Sequence, residues 1–348
     1  MKRYFKFVFT PLLRKSLFYL SLGTFLFSLY QISQYWEYQE TLVDISKELR
    51  LNVENSEFDQ EIQKAIDNAD FDDAKMYLQI AKSNNYNIDY DYYQRQLDEK
   101  DTRFNRILTN ASSFADGFLQ GKSSNLSGIA GAVSADFTVV GDVRDLRKEY
   151  AKQQQGEEIN KLIVILSGTG IGLTALTVGS LGTAAPAKTG ASLMKIAVKS
   201  QRLTRGFQKQ LLRLGQNVFD WSTFTRLAKQ DKGLNNIRRD AQRAYHPEAI
   251  TPLKRMAIQV NNIRKSSSAA DTLHLLKYVE KSDDLRQLEK ITLKYGAQTK
   301  GLLKLVGKGA LRTVRVLRKT SALLLSLFSS LISGIFSLMF LLSSRKIA

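Results

Sequence analysis

Few residues in this sequence combine the types and spacings that chemistry requires. Asp142, Asp145 and Glu149 recur at helical spacing and so share one helix face. Hard divalent cations accept such carboxylate oxygens. Arg144, Arg147 and Lys148 interleave with them, which favours a salt-bridged surface helix that starts at Gly141-Asp142 with Asp142 as its cap. Asp136 stands inside the apolar run from Ser127 to Val140, where it either caps a helix or faces a partner or the membrane surface. Only two histidines exist. His246 precedes Pro247-Glu248 and His274 lies one helical turn after Asp271, and neither has a nucleophile spaced to act with it.

Two phosphate-binding patterns fail on inspection. Gly121-Lys122-Ser123 ends like a phosphate loop, but Asp116 occupies the first glycine position and an acid there repels phosphate. Gly168-Thr169-Gly170-Ile171-Gly172 resembles part of a dinucleotide fingerprint, but it lies inside an uncharged run and not at a strand-to-helix turn. The chain has no cysteine, which excludes disulfides, thiolate nucleophiles and Cys-ligated metals. No catalytic residue, cofactor or metal is expected.

The elements that would carry these residues read as helical throughout, so the expected fold class is all-α. Proline is scarce at four residues, and strand-like alternation is weak. Three uncharged stretches approach the roughly 20 residues that span a bilayer core. They are 16–32, 162–187 and 321–344, and together they predict three transmembrane helices. No small-x-small cleavage site follows the first, and Tyr30, Tyr35, Trp36 and Tyr38 suit an interfacial belt, so an uncleaved anchor is expected. In the second, Gly168, Gly172, Ala175, Gly179 and Gly182 form a small-residue stripe of the kind that packs spans together.

Basic residues near span ends orient a membrane protein. Lys2, Arg3, Lys6, Arg14 and Lys15 precede the first stretch, and Lys304, Lys308, Arg312, Arg315, Arg318 and Lys319 precede the last. With three spans both place the N-terminus in the cytoplasm, while the middle stretch has equal basic flanks. Residues 33–160 carry 24 acidic and 14 basic side chains, whereas 188–320 carry 9 and 29. The expected layout is a basic cytoplasmic N-terminus (1–15), an acidic periplasmic helical domain (33–160), a basic cytoplasmic helical domain (188–320) and a short tail (345–348).

Residues 57–82, with Phe58, Ile62, Ala65 and Ile66 and then Phe71, Ala74, Tyr77, Leu78 and Ala81 on two apolar faces, read as a helical hairpin. They loosely resemble a single tetratricopeptide helix pair without a second copy. A third helix is expected over about 88–110. The runs DFTVVGDVRDLRKE and SDDLRQLEKITLKYGAQTKGLLKLVG, with the Gly-rich stretch between them, resemble uncharacterised multi-span membrane proteins of proteobacteria. That resemblance implies a bacterial envelope location and no activity.

Lys and Arg outnumber Asp and Glu by 51 to 33, with a pI near 9.8, so an anionic partner is expected. Basic amphipathic segments at 193–215 and 299–319, and the six basic residues from Lys304 to Lys319, point to anionic lipid headgroups. Aromatics are too sparse among them for a single-strand platform, which disfavours nucleic acid. The function expected is a non-enzymatic inner-membrane scaffold that binds a protein partner or a second copy of itself. Two alternatives are a membrane-disrupting effector and a membrane enzyme with an unrecognised site.

Overall fold

The computed structural model describes residues 11–35, 38–102, 105, 139–179, 183–229, 233–317 and 320–345. Asp116, the Gly121-Lys122-Ser123 run, Asp136 and Gly182 lie outside them. The described chain is all-α apart from one short two-stranded ladder. It forms two compact units, one made of residues 1–41 with 313–348 and the other of residues 42–312.

The first unit pairs α1 (Pro11–Tyr35) with α16 (Thr320–Arg345), and β1 (Tyr38–Leu42) with β2 (Thr313–Leu317). The two helices run antiparallel, with polar contacts between Ser21 and Ser337 (2.7 Å), Ser28 and Ser329 (3.0 Å), and Gln31 and Ser326 (3.4 Å). Ser326, Ser330, Ser333 and Ser337 recur at steps of four, three and four, and all are buried with Ser28. The outward faces carry Leu20, Leu26, Phe27, Leu325, Phe328, Leu331, Ile332 and Ile335, all exposed. Small polar residues fill the seam and large apolar ones face out, the reverse of a water-soluble helix pair.

The second unit holds fourteen helices of at least seven residues among its described residues. An N-terminal group consists of α2 (Ile45–Asn52), α3 (Asn55–Asp67), α4 (Phe71–Ser83) and α5 (Tyr90–Lys100). Asp44 caps α2 by accepting from the Ser46 and Lys47 amides. The α3–α4 hairpin turns through Ala69 at φ 55°, and all the apolar positions anticipated at 57–82 are buried except Leu78, which is partly covered. Of the helix expected over about 88–110, the described part is α5, which ends at Lys100; 103–104 and 106–110 lie outside the described residues.

The remaining helices are α6 (Val139–Gln154), α7 (Lys161–Gly179), α8 (Ala185–Lys199), α9 (Arg205–Gly215), α10 (Trp221–Ala228), α11 (Leu234–Arg243), α12 (Thr251–Ser266), α13 (Ala269–Leu275), α14 (Ser282–Tyr295) and α15 (Thr299–Val306). The 193–215 segment is two helices and not one. Gln201 takes φ 55° and Thr204 starts α9 by accepting from the Phe207 amide.

The expectation of three spans is not confirmed. Among the described residues one helix, within α16 at Ser321–Met339, is long and apolar enough to cross a membrane. The uncharged run 162–187 is divided between α7 and α8, with Pro186 in the first turn of α8. From Val164 through Leu173 every residue of α7 is buried, against α6, α8, α9 and α11. A helix that is apolar all round fits a protein core as well as it fits lipid.

With α7 inside, the acidic and basic regions belong to one unit. Lys300 pairs with Asp73 at 2.5 Å, and Lys304 pairs with Glu61. Both contacts join α15 to the α3–α4 hairpin. Gly301 lies so close to Met76, Tyr77 and Ile80 that an added Cβ would meet Ile80 at 2.8 Å. Lys308 pairs with Glu280 at 2.8 Å. Lys304 and Lys308, expected at a lipid surface, are therefore matched to carboxylates of their own unit. Arg312 is exposed, Arg315 lies on β2, and Arg318 and Lys319 fall outside the described residues.

Candidate functional site

The carboxylate face at 142–149 is placed differently from its expected position. Helix α6 begins at Val139, so Asp142 lies within its first turn and does not cap it. Asp142, Asp145 and Glu149 are all buried, with relative exposures of 1%, 5% and 2%. Arg144 and Lys148, which interleave with them, point to the exposed side. The lysines that meet the two aspartates come from α8. Lys195, with no exposed surface, donates to Asp142 at 2.6 Å and lies 2.9 Å from Asp145. Lys188 also pairs with Asp142, and Lys199 donates to Asp145 at 2.8 Å. Glu149 accepts from the Asn160 amide at 2.7 Å and from Lys152 at 3.0 Å.

The helical repeat accounts for this ladder. Residues 142, 145 and 149 on α6, and 188, 195 and 199 on α8, each recur at combinations of three and four. Each set makes a single stripe. The stripes meet beside α7, where Gly170 leaves room for the carboxylate, since a Cβ there would lie 2.3 Å from Asp142 Oδ2. Gly168 and Gly172, on the other side of α7, admit the rings of Phe219 and Tyr245. The GTGIG run is thus a packing device for groups of its own unit. Of the rest of the small-residue stripe, Ala175 is exposed and Gly179 ends α7.

Electrostatics in the ladder follow from burial and pairing. Burial pushes the Asp142 carboxyl upward against the pull of Lys188 and Lys195. At Asp145 burial acts the same way, but Lys195 and Lys199 outweigh it and hold the carboxyl below the usual range. Burial opposes the charged form of Lys195, and the two aspartates overcome that and raise its pKa. Ser192 lies three residues before Lys195 with a buried hydroxyl that has no hydrogen-bond partner among the described residues. Lys195 is bound to two carboxylates, so this Ser–Lys spacing lacks a free base. Among the described residues no group of three His, Asp or Glu side chains is arranged to hold a metal ion. The arrangement clamps α6 to α8, and its acids are satisfied by ammonium groups.

The histidines are also separate. His274 Nδ1 lies 2.8 Å from Arg202 Nη1. His246 lies 3.6 Å from Glu248 and is about half exposed.

His246 does border a cleft of about 700 Å³ that no sequence pattern marks. Its walls are Ile159, Val164, Ile165, Phe219 and Trp221, with Lys161, Gln216, Asn217, Asp220 and Ser222 among the polar residues around them. Asp220 is occupied as the cap of α10, accepting from the Thr223 amide (3.0 Å), Thr223 Oγ1 (2.7 Å) and Ser222 Oγ (2.7 Å). Those hydrogen bonds hold its carboxyl well below the usual range. Lys161 has no carboxylate within ion-pair distance among the described residues. Residues from three separate segments make this cleft, and only tertiary packing brings them together.

No family model, curated protein or solved structure matches the chain.

Proposed function

We propose that the chain is a non-enzymatic bacterial inner-membrane protein, anchored by the α1–α16 hairpin and presenting the 42–312 unit as a scaffold for a protein partner. The observation that carries this reading is the reversed polarity of the hairpin. In lipid, outward Leu and Phe cost nothing, while helices associate through close packing and interhelical hydroxyl contacts. In water the same surface would be a long exposed apolar patch. The 16–32 stretch in α1 lacks charge along its length, which suits a second crossing beside α16. Two crossings put both termini on one side and residues 42–312 on the other.

The basic flanks of the two helices then give opposite orientations, since each set lies on a different side. Pairing of Lys304 and Lys308 within the 42–312 unit weakens the flank of α16. The first helix usually dominates, so the N-terminus is cytoplasmic and the large unit is periplasmic. Anionic headgroups remain the natural contact for the basic residues close to α1. The resemblance to proteobacterial multi-span proteins is consistent with this setting.

Substitution on the outward face tests the anchor. Phe328→Lys with Ile332→Lys places two charges where lipid is expected, at about 2.5–3.5 kcal/mol each. The double variant should leave the membrane pellet on alkaline extraction while wild type stays. Unchanged retention would contradict a lipid-facing α16, because a solvent-facing helix accepts lysine readily.

A further inference from the structure

We propose that the cleft formed by the start of α7, the segment linking α9 to α10 and His246 binds an organic carboxylate with an apolar ring or chain, a role distinct from the scaffold reading. Size comes first. About 700 Å³ lies in the range of sites that enclose small molecules. Chemistry comes second. The wall residues Ile159, Val164, Ile165 and Phe219 offer an apolar bed, and the ring of Trp221 stacks on Phe224 at 5.2 Å, which fixes it in place.

Charge selects the class of ligand. Asp220 is the acid in the lining, and its oxygens are committed to the first turn of α10. That leaves Lys161 as the lining's charge without an ion-pair partner among the described residues, at the first turn of α7 where the helix dipole adds positive potential. His246 stands at the same cleft with Glu248 3.6 Å away. A ligand that lays an apolar body against Phe219 and Trp221 and brings a negative charge to Lys161 matches both the walls and the charge of the cleft. A cation would meet Lys161 unfavourably, and a purely apolar body would leave Lys161 unmatched.

The test uses the full chain in nanodiscs of zwitterionic lipid, with empty discs as blank. The probes are naphthalene-2-carboxylate and its neutral amide, which share a shape and differ in charge. Calorimetric titration should show saturable binding of the carboxylate at one site. The amide should bind roughly tenfold more weakly, the size of one lost charge-assisted contact. Lys161→Gln, at an exposed position, should erase that preference. Asn217→Trp, also at an exposed position, should fill the cleft and abolish binding of both probes. Circular dichroism checks that each variant is folded. No saturable binding by wild type, or a preference for the carboxylate that survives Lys161→Gln, overturns the proposal.

Discussion

Replacing Lys195 with methionine tests the ladder most severely. The side chain has no exposed surface, and its ammonium lies 2.6 Å from Asp142 and 2.9 Å from Asp145. Methionine matches the stem in length, so packing changes little and the loss is electrostatic. Breaking a buried ion pair by removing one partner costs about 3–5 kcal/mol, because the other charge is stranded. Here each aspartate keeps a second lysine, Lys188 or Lys199, which argues for the lower end, about 3 kcal/mol. At roughly 2–4 °C per kcal/mol for a chain of this size, Tm should fall by roughly 6–12 °C. Thermal unfolding in mild detergent, followed by circular dichroism, measures it. Lys209→Met, at an exposed position of α9, is the control and should stay within about 0.5 kcal/mol. Equal shifts for the two variants would refute the ladder as a stabilising clamp.

Other outcomes follow from the same structure. Asp145 is held low, so its contribution is complete above the ordinary carboxylate range and is lost as pH falls through its depressed folded value. Burial at Asp142 acts in the opposite sense. Acid titration of stability below about pH 4 should therefore flatten in Asp145→Asn. Lys195 is raised, so its contribution persists below its ordinary value and is lost only as pH rises through the higher folded one. Gly190→Ala should destabilise by at least about 1–3 kcal/mol in urea unfolding, since its Cβ would overlap the backbone carbonyl of Ala257 on α12. A Ser21→Cys/Ser337→Cys pair, in a chain with no native cysteine, should form a disulfide on oxidation because the two hydroxyls lie 2.7 Å apart. A gel should show the cross-linked form, and Ser16→Cys/Ser337→Cys should not give it.

What the sequence reveals about this fold depends on how local the signal is. The hairpin at 57–82 is legible because its apolar spacing and its Asn68-Ala69-Asp70 turn lie within one short window. The uncharged run in α16 is equally local. Helix α7 misleads because a fully buried helix and a membrane helix have the same composition, and the distinguishing partners are elsewhere in the chain. The carboxylate face at 142–149 is legible as a stripe. Its purpose depends on the lysines 46 to 54 residues away, and matched opposite-charge stripes at combinations of three and four are the one signal that could have joined them. The charge contrast between 33–160 and 188–320 suggests opposite sides of a membrane, yet Lys300–Asp73 and Lys304–Glu61 show that such regions also attract each other. The cleft leaves no trace in the sequence, because its three wall segments, around 159–165, 216–222 and His246, meet only on packing.

The central claim is that residues 42–312 form one unit on one side of the membrane. The chain lacks cysteine, so single cysteines at Glu99 and Gln242, both exposed, report their sides without background. A membrane-impermeant maleimide applied to intact spheroplasts should treat the two positions alike, labelling both when the large unit is periplasmic. Labelling of Glu99→Cys with protection of Gln242→Cys until lysis would put a crossing between them and contradict the account.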